Sequence, residues 1–504
     1  MIKRIKRIKR IKRIKRIKRI KIPKGYDFKG FSFAPEEKLA VLKSQEKYVI
    51  PLKQGFGKKV PFILNIGDSV NAGQIIGIDD NTVSNPVHSP VNGIIESQIT
   101  DENGEVNSVI IKSSGSSEWK PMPSFNSNWS SLPKKTLEEL IYKSGAGSLD
   151  LDGIPTGYNS SNIAPEKVKH IIINGVDSGV YDFSNTFLLN GSGFLNLIEG
   201  LKILNKVMPE AIIHIALNKK EKKLNKRITE SLSGINWMKT YKLNSRYPQG
   251  KQEILISSIL NMQYPYKTSS TNIGVIVLSM QTILYVHDAV CLGKPVIERI
   301  VALCGSGFKE NIYLKVKIGT TVGDILKSYS SSDLEQRLIL NNLLNGNVIS
   351  ENDTPVDRTF NKIIAIPEET SRLFVAFARP GLRKDSYSNT FLSILKKDCN
   401  TNMRGERRPC VFCNYCDSVC PVNILPFLIS KYVERDIIDE SIINLKIFDC
   451  VECNLCTYVC PSKIPVAQNI KKGKNEILAQ SSLFPSLKTI NVDMDAINQY
   501  EEIK

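Results

Sequence analysis

Histidine is scarce in this chain: four residues in 504, at His88, His170, His214 and His287, beside only three tryptophans. A His-based nucleophile–base pair or a His-rich metal site has little to draw on. His170 and His214 border apolar stretches, His88 falls in a turn and His287 in a helical pattern, and all four read as structural. No run of about eighteen apolar residues occurs, which excludes an ordinary transmembrane helix. No continuous apolar core of a signal peptide is present either, so an oxidising compartment and disulfide pairing are not indicated. Gly191-Ser192-Gly193 is too short for a phosphate loop.

Acid is missing from the first 21 residues, where Ile-Lys-Arg repeats six times and is followed by Ile20-Lys21. A period of three keeps isoleucine on no single face of a helix or strand, and dense like charge opposes compaction, so the arm reads as disordered. It is either a repeat expansion ahead of the folded chain or a polybasic tether to anionic lipid. It also accounts for most of the net charge of +18: the arm holds 13 of the 68 Lys and Arg, which leaves 55 against 50 acids. So mild a basicity does not support nucleic-acid binding.

What the chain does have is cysteine in a pattern. Eight of its eleven cysteines form two copies of C-x2-C-x2-C-x3-C-P, namely Cys410, Cys413, Cys416, Cys420 with Pro421, and Cys450, Cys453, Cys456, Cys460 with Pro461. That is the spacing of two-cluster ferredoxins, in which three thiolates hold one [4Fe–4S] cubane and the fourth reaches the other. Crossed wiring is therefore expected: Cys410, Cys413, Cys416 and Cys460 for the first cluster, Cys450, Cys453, Cys456 and Cys420 for the second. Paired zinc sites would not call for this run twice. Cys291, Cys304 and Cys399 read as small buried or incidental residues.

The remainder divides into segments. Residues 1–21 are the basic arm. Residues 22–120 hold short strands separated by Gly, Asn, Asp and Pro, and Ile66-Gly67-Asp68 and Ser89-Pro90-Val91-Asn92-Gly93 look like a lipoyl-type barrel sandwich lacking the turn lysine that carries lipoate or biotin. Residues 134–300 alternate strand and helix patterns; His170–Asn174 and Ala211–Ala216 are unalternated apolar runs of the kind a parallel sheet buries, Ile273–Leu278 is a third candidate, and Phe194–Lys206 is an amphipathic helix. Residues 301–370 suit a small β-grasp-like α+β unit, 371–409 a basic connector, 410–470 a helix-rich dicluster domain and 471–504 a polar tail. The fold class expected is multidomain α/β and α+β, with a Rossmann-like core.

The segment Ile20-Lys21-Ile22-Pro23-Lys24-Gly25, with Pro380–Ser393 and Thr401–Pro409, resembles the A subunit of the Na+-translocating NADH:quinone oxidoreductase (Nqr). The dicluster segment, Gly293–Arg299 and Tyr247-Pro248-Gln249-Gly250 are similar to the C subunit of the Rnf electron-transport complex. The resemblance implies an Nqr A-type chain that retains Rnf C-type clusters. In that superfamily an FMN/NADH site is built on three loops, and here each departs from the pattern. Gly145–Thr156 carries Asp150 and Asp152, Asn174–Tyr181 keeps one acid, Asp177, with Gly179 at the place of the other, and Asn341–Gly346 replaces a glycine-rich element. Negative charge and side chains where phosphate should approach backbone N–H groups imply that neither FMN nor NADH binds. The function implied is one-electron relay through two [4Fe–4S] clusters in a peripheral subunit on the cytoplasmic side of the bacterial cell membrane, partnered by membrane and flavin subunits and a quinone, and by no nucleic acid. The alternative is an Rnf C-type subunit of a ferredoxin:NAD oxidoreductase that still binds FMN and NADH.

Overall fold

The computed structural model describes residues 19–20, 24–28, 31–116, 118–176, 179–181, 183–266, 268–331, 335–369, 399–402 and 406–480. The arm up to residue 18, Asp177, the Pro380–Ser393 motif, most of the 371–409 connector and the tail beyond residue 480 lie outside the described residues.

The N-terminal barrel sandwich is built on alternation. Lys47–Pro51, Val106–Ser113, Gly93–Thr100 and Ser69–Val70 lie side by side in an antiparallel sheet. Tyr48, Ile50, Ile95, Val109 and Ile111 point inward and are buried. Ile75–Gly77 pairs with Val87–His88 across the sandwich. The turn that would present a swinging arm in a lipoyl carrier is here buried, from Ser84 to Val91. Arg358 explains the burial. Its Nη2 donates to the Pro86 carbonyl at 2.7 Å and to His88 Nδ1 at 3.1 Å, and its Nη1 donates to Ser148 Oγ at 3.0 Å.

A five-stranded parallel sheet forms the α/β core, in the order Arg19–Ile20, Met238–Leu243, Ile212–Asn218, His170–Gly175, Val275–Ser279. Ile171, Ile172 and Ile173 are all fully buried, as a strand covered on both faces requires. Helices Gly193–Val207 and Met280–His287 cover one face, and Gln252–Leu260 covers the other. Met238–Leu243 has no counterpart among the strands expected from sequence. Its Met-Lys-Thr-Tyr-Lys-Leu run is too polar to read as a core strand, because it lies next to the sheet edge. The third sheet runs Val348–Ile349, Gln336–Leu340, Lys362–Pro367, Glu298–Cys304, Tyr313–Lys317, Leu39–Val41, so its last strand comes from residues far upstream. Among the described residues, five α-helices from Tyr415–Val419 to Val466–Ala479 make up the C-terminal dicluster domain.

Two histidines are buried neutral. His88 Nε2 lies 2.8 Å from the Lys143 carbonyl, and burial followed by the Arg358 charge brings its pKa down to about 3. His214 lies 3.1 Å from both His170 and the Tyr241 hydroxyl and is likewise brought to about 3, by burial and then by His170. Both folded values lie below the unfolded one, so between pH 6.5 and 3 the unfolded chain binds the extra protons. Stability is present above that window and is lost as pH falls through it, by about 1.4 kcal/mol per pH unit for each histidine. The urea midpoint is expected to fall between pH 7 and pH 5, and to fall less in a His88→Gln variant. A midpoint equal at the two pH values would count against neutral burial.

Candidate iron–sulfur centres and the nucleotide crevice

The two cysteine loops are conformational copies forty residues apart. Phe412 and Glu452 (φ 53° and 52°), Asn414 and Asn454 (57° and 64°), and Asn423 and Lys463 (61° and 54°) all adopt left-handed backbone. Repeated reversals of this kind wrap a short loop around a point and turn its N–H groups inward. Backbone N–H groups of Val422 and Ile424 are directed at Cys420, and their counterparts Ser462 and Ile464 at Cys460.

The fold brings the eight thiols into two groups. Cys410, Cys413, Cys416 and Cys460 line one cavity of about 350 Å³. Cys413 and Cys460 are the thiols acting on Cys416, while Cys413 and Cys410 act on Cys460. In the other group, Cys453 and Cys450 act on Cys420, and Cys456 is influenced by Cys450, Cys453, Cys420 and then Cys416. Burial pushes Cys416, Cys420 and Cys453 up to about 12 and Cys456 well above the ordinary thiol value. Thiols so placed ionise only beside a compensating cation, and a donor set made wholly of sulfur suits iron–sulfur clusters.

The two groups differ in surroundings. Val411 and Phe412, beside the first, are more than half exposed, and Arg407, Arg408, Lys431 and Arg435 stand around its cavity. The second group faces the body of the molecule. Lys474, whose side chain is wholly buried, donates to the Cys450 carbonyl at 2.6 Å and to Glu452 Oε1 at 3.0 Å, and its ammonium lies 4.2 Å from the Tyr266 ring centre. Burial acts to raise Glu452, but Lys474 outweighs it and the net shift is downward. A buried ammonium at this position favours added negative charge on the neighbouring sulfur set.

Next to the second group is a crevice of about 280 Å³ at the carboxyl ends of His170–Gly175 and Val275–Ser279, where the strand order reverses. Crevices at such switch points are where α/β sheets take ligands. Asn174, Tyr247, Lys251, Ser279, Asn342 and Lys362 are among its walls. Loop 341–346 joins it to the thiols. Asn341 and Asn342 line the crevice, the Leu344 carbonyl accepts from Asn454 Nδ2 at 2.5 Å, and Asn345 Nδ2 donates to the Glu452 carbonyl at 3.3 Å.

Residues 145–156 have other partners. A Cβ on Gly145 would stand 2.3 Å from Arg358 Nη2, and one on Gly147 2.5 Å from Asn85 Oδ1. Asp150 accepts from the Ser279 N–H at 2.9 Å and from Thr282 Oγ1 at 2.5 Å, so a carboxylate already caps helix Met280–His287. Asp152 accepts from Ser269, Ser270 and Gln252 at 2.7–2.9 Å. The glycine stretch therefore presents protein rather than an open phosphate cradle. The crevice itself carries two lysines, several amides and Tyr247, with Lys362 Nζ donating to the Tyr181 carbonyl at 2.9 Å, a lining whose charge suits an anion. Sequence reasoning missed Lys251, Lys362, Lys474 and Tyr266; the one available signal was Tyr247-Pro248-Gln249-Gly250, whose segment supplies a crevice wall.

Fold and site define a chain with a barrel-sandwich domain, a mixed α/β core and a C-terminal 4Fe–4S dicluster domain. Three family models match: the RnfC barrel sandwich hybrid domain over residues 21–116, the Nuo51 FMN-binding domain over 145–288, and a 4Fe-4S dicluster domain over 409–464. The chain is 27% identical over 468 residues to the C subunit of the ion-translocating oxidoreductase complex of Actinobacillus succinogenes. That match covers 90% of this chain and 62% of the relative, so the chain spans less than two thirds of the relative's length. It is 25% identical to the C subunit of the proton-translocating ferredoxin:NAD(+) oxidoreductase complex of Clostridium ljungdahlii (86% and 88% covered). To the Na(+)-translocating counterpart of Acetobacterium woodii it is 24% identical (87% and 92% covered). A solved NAD+-reducing [NiFe]-hydrogenase chain aligns with a TM-score of 0.39 at 9% identity, covering 72% of this chain and 66% of that one, too loosely to carry an argument. The sequence matches support the RnfC family.

Two expectations are corrected. The Nqr A assignment, with NADH:quinone activity and a quinone partner, is not supported, since the relatives are C subunits of Rnf type. The dicluster segment that resembled Rnf and the barrel sandwich, read from sequence only as lipoyl-type, both match family models, the latter as the RnfC barrel sandwich hybrid domain, whereas the Nqr-like motifs are short. The expectation that FMN has no place here is opposed by the match of residues 145–288 to an FMN-binding domain. It weighed three altered loops and did not see the lysine-bearing crevice that the sheet creates beside them.

Proposed function

We propose that this chain is the iron–sulfur electron-transfer subunit of an Rnf-type, ion-translocating ferredoxin:NAD oxidoreductase, peripheral to the membrane and partnered by the complex's membrane and flavin subunits. Among the described residues no helix is long and apolar enough to cross a membrane, in keeping with a peripheral role. Cys410, Cys413, Cys416 and Cys460 hold one [4Fe–4S] cluster, and Cys450, Cys453, Cys456 and Cys420 the other. The observation that carries the reading is the order of parts: an outward thiol set, an inward one, and a cationic crevice joined to the inward set through loop 341–346. When bound, the clusters supply one-electron transfer and FMN the change between one- and two-electron chemistry. Lys251 and Lys362 offer positive charge to a nucleotide's anionic groups, and Asn174 and Asn342 offer amide hydrogen bonds. Lys474 supports negative charge at the inward set.

Anaerobically purified full-length protein is expected to hold about eight iron and eight sulfide per chain, with flavin, and its cluster absorbance should bleach on adding NADH. Clusters without flavin and without NADH bleaching would overturn the nucleotide part and leave a relay. Absence of iron would sink the proposal outright.

A further inference from the structure

Outside the dicluster domain, on the face of the core sheet covered by helices Gly193–Val207 and Met280–His287, three side chains of metal-binding type converge. Glu199, His287 and Cys291 each offer a ligand atom, and the three atoms lie within 4.8 Å of one another. Two features of the chain produce this. The helix ending at His287 continues as a π-turn over Asp288–Leu292, which places His287 and Cys291 at neighbouring positions on successive turns. Such π-turns mark functional places in helices more often than ordinary turns do. Gly200 allows the second helix to come close: a Cβ there would stand 2.5 Å from the Ile283 carbonyl oxygen. Any larger residue would push Glu199 away from the pair.

We propose that Glu199, His287 and Cys291 form a binding site for a single divalent ion of the Zn2+ class, with a fourth position open to water. Carboxylate, imidazole and thiolate together suit this borderline-soft ion, and tetrahedral coordination sets ligand atoms about 3.5 Å apart. Cys291 Sγ already lies 3.7 Å from Glu199 Oε2, so closing around an ion asks for little movement. Asp288 Oδ1 lies 2.9 Å from His287 Nδ1, which fixes the ring and leaves Nε2 as the nitrogen for the ion, in the carboxylate–histidine arrangement common around bound zinc. Trp129 Nε1 donates to Glu199 Oε2 at 3.4 Å and orients the carboxylate from the other side.

The test is equilibrium dialysis of the full-length protein, iron content measured, against radioactive Zn2+ with a competing chelator, together with X-ray absorption at the zinc edge. One Zn2+ per chain beyond the iron is expected, with one sulfur at about 2.3 Å and nitrogen or oxygen at about 2.0 Å. Cys291→Ser should weaken binding by at least about 100-fold and Asp288→Asn by about 10–100-fold, with iron content unchanged. Should Cys291→Ser fail to fold, Glu199→Gln, which keeps the size of the half-buried side chain and an oxygen that can accept from Trp129, gives the same test, with about 10-fold weaker binding expected. No zinc uptake, a shell of four sulfurs (zinc lodged in the cluster motifs), or binding unaffected by these substitutions would overturn the site and leave a Cys291–Glu199 hydrogen bond as the whole of it.

Discussion

Cys420→Ser is expected to remove the cluster of the second motif, although Cys420 belongs to the first. Iron should fall from about eight to about four per chain, and the reduced EPR signal that survives should come from the outward, more exposed set. The decisive comparison is the double variant Cys420→Ser with Cys453→Ser. If both residues serve one cluster, the second change costs no further iron and about four remain. With each motif wrapping its own cluster, the two changes strike different sites and little iron would be left. The basis for the crossed outcome is placement: Cys420 stands with Cys453 and Cys450, and Cys460 with Cys413 and Cys410. The backbone N–H groups that support each fourth sulfur come from Val422 and Ile424 or from Ser462 and Ile464, immediately after that cysteine. Each fourth ligand thus carries its own hydrogen-bond support into the other motif's site.

The second large effect belongs to Arg358. Its guanidinium is wholly buried and holds the Pro86 carbonyl, His88 Nδ1 and Ser148 Oγ together, while Gly145 leaves room for its planar group. Arg358→Ala deprives three buried acceptors of their donor and opens a cavity, a loss of about 3–4 kcal/mol. Because one domain can loosen while others stay folded, the sensitive measurement is hydrogen exchange over residues 84–91 and 145–153. Protection there should drop by about two orders of magnitude, with exchange in the dicluster domain unchanged. Arg358→Met, which keeps the volume and gives up the charge, should cost less, because a buried ion's desolvation penalty disappears with it. Equal protection in wild type and Arg358→Ala would show that the barrel-sandwich turn is held by packing alone.

Local chemistry was legible without the fold. The cysteine runs announce their cofactor because a cubane needs thiolates at short fixed spacing, which survives in one dimension. Ile171-Ile172-Ile173 declares a buried parallel strand for a similar reason, since apolar residues on both faces need no knowledge of neighbours. The barrel sandwich showed through its alternation and turns. Strand Met238–Leu243 escaped notice because its lysines read as surface, and Leu39–Val41 because its partner strand begins at Tyr313. The glycine-poor loops were read correctly as residues and too strongly as function.

What the amino-acid order determined by itself was the 4Fe–4S character of the two cysteine runs and the kinds of layers present, because both rest on spacings of a few residues. Only the tertiary structure decided that the lipoyl-like turn is locked under Arg358, that Lys251 and Lys362 meet Asn174 in one crevice, and that Glu199 reaches Cys291. Those juxtapositions join positions scores to hundreds of residues apart, and they are set by sheet order and helix approach, which no short window of sequence encodes.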